Sequence, residues 1–113
     1  MGRQISIGCP IIDKVSETEN AFSFTIDIPE ENKNQFQFTP GQYLSVCITD
    51  DKGNQHRRHY SITSLSSENQ ISFCVKRVPK GIVSNILCNE YTIGSVLQVE
   101  PPTGDFILNE KIL

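Results

Sequence analysis

Residues 43–63 read YLSVCITDDKGNQHRRHYSIT, and the way this stretch alternates decides the fold. Leu44, Val46 and Ile48 recur every second residue between Tyr43 and Thr49, the period of a strand with one face on a core. DDKGNQ follows as a turn, with Gly53 where the backbone needs positive φ. The chain then returns as a further strand from about Gln55 to Thr63. Such a strand should alternate from its first residue, yet this one opens with Arg57, Arg58 and His59 and turns aliphatic only at Ile62. Two explanations stay open on these residues. One is an edge strand guarded by charge; the other is a strand whose first half faces a ligand and whose second half faces the core.

Working outward, Ile11–Val15 and Ala21–Ile28 are β-prone runs parted by SETEN, and Phe22, Phe24, Ile26 and Ile28 share one face by period two. PEENKNQFQFTPG (29–41) reads as a loop. In ISFCVKR (71–77), Ile71, Phe73 and Val75 face one way and Ser72, Cys74 and Lys76 the other. Ile82, Val83, Ile86 and Leu87 recur at helical spacing before the Gly94 turn. Ser95–Val99 is a sixth strand, stopped by Pro101 and Pro102. Six short strands with turn signals and one short helix predict an all-β fold: a closed, six-stranded antiparallel Greek-key barrel.

Composition bounds the function. The 113 residues suit one domain, with an ordinary soluble mix of 37% apolar and 20% charged residues. A net charge of −3 gives no general attraction to nucleic acid or anionic membrane, and no apolar run is long enough to span a bilayer. The expectation is a cytoplasmic protein with no nucleic-acid or membrane partner. Cys9, Cys47, Cys74 and Cys88 show no C-x-x-C pattern, so buried thiols are expected and no metal site is.

Two constellations carry chemistry. In the fourth strand Arg58 and Tyr60 fall on one side, and His59 and Ser61 on the other. Tyr60 would then lie along a flat aromatic ligand while Arg58 reaches its anionic part, and Ser61 would reach that ligand only at the barrel edge. PKGIVSN (79–85) opens the helix with Gly81 and Ser84, and a helix start with its unpaired N–H groups favours phosphate. Each signal also reads as plain structure, a solvated edge in one case and an ordinary helix start in the other. Together they fit a pyrophosphate gripped at both ends, with a planar ring beside Tyr60. A non-enzymatic Greek-key barrel binding an oligonucleotide or protein partner is the alternative; it needs a basic groove with aromatic platforms, which a single basic cluster on an acidic chain supplies poorly.

Taken in order, PGQYL (40–44), RHYS (58–61), CVKR (74–77), GIVSN (81–85) and PTGDF (102–106) make the chain resemble the flavin-binding domain of the ferredoxin–NADP reductase superfamily, which includes flavohaemoglobin and oxygenase-reductase members. FAD rather than FMN is expected because a second phosphate-binding segment suits a dinucleotide, although some members of the family use FMN with a similar signature. The resemblance puts Tyr60 beside the isoalloxazine and Ser61 near flavin N5, the two residues expected to act on the reacting ring. Arg58 would neutralise the diphosphate, with His59 beside it in the site. Cys74, Val75 and Lys76 would line the pyrimidine end, and Gly81, Ile82, Val83 and Ser84 would hold phosphate. Tyr43 would be a further flavin contact, or a packing tyrosine at a strand end. Family members continue into a Rossmann-like NAD(P)H domain, whereas no G-x-G-x-x-G occurs here. The expectation is therefore that residues 1–113 are an FAD-binding domain excised from a longer reductase. NAD(P)H would be used through a partner domain or protein, and electrons would pass to a haem or iron–sulfur acceptor.

Overall fold

The computed structural model describes residues 6–39, 41–64 and 69–104. The N-terminal part of the first motif (Pro40) and the end of the last one (Asp105 and Phe106) lie outside the described residues. Six strands and one helix follow in the order β1 (Ile7–Thr18), β2 (Ala21–Asp27), β3 (Tyr43–Thr49), β4 (Gln55–Ser61), β5 (Gln70–Lys76), α1 (Ile82–Glu90) and β6 (Val96–Thr103), with a 3-10 turn at Glu30–Asn32. The strands form one sheet in the order β4-β3-β6-β1-β2-β5. Every pairing is antiparallel. The neighbours β3–β6 and β2–β5 are not consecutive in sequence, which is the crossover pattern of a Greek key.

The all-β class with a single helix holds. Closure does not: β4 and β5 end the sheet, and an isolated bridge between Ile62 and Phe73 is what joins them. The ladder stops where β4 presents its exposed residues Arg57, Arg58 and His59, and α1 packs against both strands there.

Two strand ends also run further than expected. β1 begins at Ile7 because Ile7–Pro10 pair with β6 before Ile11 onward pairs with β2. Gly8 and Pro10 sit in the part of the strand that pairs with β6, just before it changes partners. β6 continues through Pro101 and Pro102 because the β3–β6 register slips between Tyr43 and Ser45: Tyr43 faces Thr103 and Ser45 faces Glu100. A bulge is where a sheet tolerates residues that cannot donate to the ladder.

The period-two faces predicted from sequence meet in one core. Phe24, Ile26, Leu44, Val46, Ile48, Ile71, Phe73, Val75, Leu97 and Val99 are buried, with Phe22 only half-buried. Val83 and Leu87 dock α1 onto this core. Segment 29–39, expected to be a plain loop, instead delivers Phe36 and Phe38 into the interior. Gly53 takes φ 86°, as its turn requires. Of the thiols expected to be buried, Cys9 and Cys88 are and Cys47 is partly so, while Cys74 is exposed. Cys74 stands on the outward face of β5.

Candidate flavin site

The gap between β4 and β5 is framed by two strand edges. At its apex Thr63 N donates to Ser72 O at 2.8 Å, beside the Ile62–Phe73 bridge. Register then fixes which backbone groups face the gap. Ile28 N donates to Asn69 O at 2.7 Å and Arg77 N to Asn20 O at 2.6 Å, extending the β2–β5 ladder at both ends. Hydrogen-bonded and non-bonded pairs alternate along an antiparallel ladder. Ile71, Phe73 and Val75 therefore spend their amides and carbonyls on β2, and Ser72, Cys74 and Lys76 direct theirs into the gap.

The same reasoning holds for the opposite edge. Ile62 N donates to Gln42 O at 3.1 Å and Asp50 N to Asn54 O at 2.8 Å, so Arg57, His59 and Ser61 turn their backbone groups away from β3. Some of these groups are already engaged: Ser72 N donates to Ser64 Oγ at 3.0 Å, and Arg57 O accepts from Arg58 Nη1 at 2.9 Å. The bridge pairs Ser61 with Cys74 as well as Thr63 with Ser72, and no further bridge between β4 and β5 is formed among the described residues, so the edge groups of His59 and Lys76 lie past the end of the pairing. Val75 differs from its neighbours. Its side chain is buried in the core, and its carbonyl meets the Cys88 thiol at 4.0 Å.

Side chains sort by the face they share with β3. Arg58 lies opposite Val46 and Tyr60 opposite Leu44, on the core side. The Tyr60 ring stacks on Phe73 at 5.8 Å, and Phe73 stacks on Phe24 at 5.8 Å, so an aromatic row leads from the core to the gap. Burial raises the Tyr60 phenol above its ordinary pKa; the Cys88 thiol adds to this and the Arg58 cation works against it. Tyr60 thus feels both Arg58 and α1.

Ser61 and His59 lie on the other face, opposite Tyr43 and Ser45. His59 Nδ1 is 2.8 Å from Ser45 Oγ, and its ring is 4.5 Å from that of Tyr43 at a tilt of 44°. The expected site residues therefore form two groups, Arg58 with Tyr60 and Tyr43 with His59 and Ser61, separated by the β4 edge.

The adjacent arginines have different surroundings. Arg57 Nε pairs with Glu100 Oε1 at 2.9 Å, and Cys47 Sγ donates to the other oxygen of that carboxylate at 3.8 Å. Arg58 has no carboxylate partner among the described residues. A cation with no carboxylate partner among the described residues, beside strands that part, is suited to an anionic ligand.

At the start of α1, Gly81 is the N-cap and no side chain caps the helix. Gly81 N donates back to Val78 O at 2.8 Å, and the first intrahelical bond comes from Asn85 N. This leaves the N–H groups of Ile82, Val83 and Ser84 free at the positive end of the helix dipole. The Ser84 hydroxyl is buried and accepts from Val78 N at 3.0 Å, so it shapes the preceding loop rather than standing free. Gly81 has an ordinary φ of −79°. A Cβ there would come within 2.8 Å of Ser84 Oγ, so close packing rather than an unusual φ calls for glycine.

Sequence reasoning missed the residues that hold α1 in place. Asn85 Nδ2 donates to Val78 O at 3.1 Å and to Gly81 O at 2.6 Å; its place in GIVSN is the signal that could have found it. Lys14 and Arg77 grip the far end of the helix, and nothing in strand periodicity marks them.

Known proteins share this fold. The model of the oxidoreductase FAD-binding domain matches residues 8–107. A flavohemoprotein of Oceanobacillus iheyensis is 35% identical over 106 residues, covering 89% of this chain and 26% of its own length. The ferredoxin reductase component of a 3-ketosteroid-9-alpha-monooxygenase from Rhodococcus rhodochrous is 34% identical over 93 residues, covering 81% of this chain and again 26% of its own. The crystal structure of a flavohemoglobin from Malassezia yamatoensis with bound FAD and heme superposes with a TM-score of 0.81 at 22% identity, over 94% of this chain and 27% of that one; at that identity the likeness is one of fold. The chain spans about a quarter of the length of these curated relatives. By the match along almost its whole length, the chain belongs to the oxidoreductase FAD-binding domain family, whose cofactor is FAD.

Proposed function

We propose that this chain holds FAD in the gap between β4 and β5 and serves as the flavin-binding part of a longer NAD(P)H-dependent reductase that delivers electrons to a haem or iron–sulfur acceptor. One observation carries the reading. Where β4 and β5 part beyond the Ile62–Phe73 bridge, β4 carries Arg58, which has no carboxylate partner among the described residues, and α1, whose start is uncapped, packs against both strands.

The residues fit the cofactor. Arg58 and the Ile82–Ser84 amides suit the two phosphates of a dinucleotide, which favours FAD over FMN. The edge groups of Cys74 and Lys76 suit the hydrogen-bonding pyrimidine end of the ring. The Tyr60 ring, braced by Phe73, suits the apolar side of the isoalloxazine. Ser61 and Tyr43, with His59 behind Tyr43, suit the part of the ring around N5. Bound flavin supplies the hydride and single-electron chemistry; the chain supplies binding, orientation and electrostatics.

The electron donor and acceptor are read from the relatives, which are flavohemoproteins and oxygenase reductase components. Their greater length supports a separate NAD(P)H-binding part in the whole protein. A cytoplasmic location agrees with four free thiols.

Titrating the purified chain with FAD and following flavin fluorescence tests the reading. Arg58→Ala is expected to weaken binding by roughly 10- to 100-fold, as loss of a charge-assisted contact does. A parent protein that leaves flavin fluorescence unchanged, or an Arg58→Ala variant that binds as tightly as the parent, would overturn it.

A further inference from the structure

The two ends of α1 are held by different devices. Its first turn is tied to the preceding loop through Ser84 and Asn85. Its last turn is tied to the sheet by two cations. Lys14 Nζ donates to Cys88 O at 2.9 Å and to Tyr91 O at 2.6 Å. Arg77 Nη1 donates to Asn89 Oδ1 at 2.8 Å. The Lys14 ammonium also stands 4.8 Å from the Phe22 ring centre and 5.5 Å from that of Phe24, and the Arg77 guanidinium 5.9 Å from Phe22. A half-buried ammonium with two carbonyl acceptors and two aromatic faces occupies a defined position, because leaving any of these partners is costly. Lys14 comes from β1, paired with Phe24 of β2, outside every motif that marks the flavin site.

We propose that Lys14 is a positioning residue for the diphosphate end of FAD: by fixing the C-terminal end of α1 to β1, it sets where the Ile82–Ser84 amides stand. This rests on the FAD reading above. The action is geometric rather than Coulombic. Nine helical residues put the tethered end roughly 13 Å from the helix mouth at 1.5 Å per residue, beyond a Debye length of about 8 Å at physiological ionic strength. It is also selective. The proposed partners of the flavin ring (Tyr60, Ser61 and the edges of Cys74 and Lys76) lie on strands, and the proposed phosphate partners other than Arg58 lie on α1.

Riboflavin carries the ring without phosphates, so the ratio of riboflavin to FAD dissociation constants isolates what the phosphate end contributes. That ratio would be measured for the parent, Lys14→Met, Lys14→Gln and Lys14→Arg, at low and high salt. Lys14→Met is expected to lower the preference for FAD roughly tenfold, at either salt, while riboflavin binding stays within about twofold; Lys14→Arg is expected to restore most of it. An unchanged ratio in Lys14→Met overturns the inference, and so does a parallel loss of both affinities, which would mark a purely structural lysine. Should Lys14→Met not fold, as read by circular dichroism, Lys14→Gln decides on the same ratio. A parent that binds neither flavin, or both equally, would instead sink the FAD reading and the inference with it.

Discussion

β2 and β5 are paired at seven positions without a slip, as are β3 and β4, whereas the two outer strands of these pairs, β5 and β4, share one isolated bridge. The residues on either side of this contrast are not very different in β propensity. What differs is what each backbone group has to bond with. Within the ladders each amide and carbonyl facing a neighbour is spent. Past the Ile62–Phe73 bridge no further bridge joins β4 to β5 among the described residues, so the edge groups of His59 and Lys76 lie beyond the pairing, and unpaired backbone is tolerated only where water or a ligand meets it. A fully closed barrel would have consumed these groups. On the proposed reading, incomplete closure leaves room for the cofactor, with the cation of Arg58 and the dipole of α1 beside it.

The contrast can be broken most severely from the laddered side. Phe73 is fully buried, forms the bridge at the apex, and stacks on both Phe24 and Tyr60. Phe73→Ala is expected to cost about 3–5 kcal/mol of stability, measured by urea denaturation, and to weaken flavin binding because Tyr60 loses its brace. A loss under about 1 kcal/mol would show that the site can collapse onto the cavity, and that the aromatic row does not support Tyr60.

A smaller effect separates the adjacent arginines. The Arg57 side chain is 50% exposed in its pair with Glu100, so Arg57→Ala should cost less than about 1 kcal/mol and leave FAD affinity unchanged. Arg58→Ala should do the reverse, losing affinity with little change in stability. Equal effects on affinity would mean that the gap recognises net charge rather than one placed guanidinium.

Much of this was legible in the sequence, because period two carries the core. Leu44, Val46, Ile48, Ile71, Phe73 and Val75 are all buried where alternation put them. Alternation also split Arg58 and Tyr60 from His59 and Ser61, and the β3–β4 register agrees. What sequence could not show is pairing. Whether β4 and β5 close depends on contacts between strands that lie far apart in the chain, and no local pattern encodes them. Pro101 and Pro102 read as a stop because the bulge that accommodates them belongs to the partner register. Ser84 was placed among the phosphate-holding residues because nothing local shows the preceding loop taking up its hydroxyl, and Lys14 went unmarked because its acceptors lie 74 and 77 residues away. Arg57 and Arg58 looked alike until Glu100 took one of them.

The smallest effect expected lies at the tip of the β3–β4 hairpin. The hydrogen bond from His56 Nε2, 2.8 Å from Asp50 Oδ2, holds the Asp50 carboxyl down at about 2, helped by the amides of Asn54 and Lys52. A carboxyl with a lowered native pKa binds its proton more readily in the unfolded chain than in the folded one. Its contribution is therefore complete above the ordinary value of 3.8 and fades as the pH falls toward about 2. Asp50→Asn should remove that part of the acid dependence, so thermal melts of parent and variant, apart at neutral pH, should converge through this window. FAD affinity at neutral pH should be the same in both, since β3 and β4 stay paired by their remaining register and the contacts of Asp50 are with Lys52, Asn54 and His56, none of them a proposed flavin partner. A variant that lost flavin as well as acid dependence would mean that the turn and the gap are coupled along β4, and the division between a laddered side and a binding side would have to be redrawn.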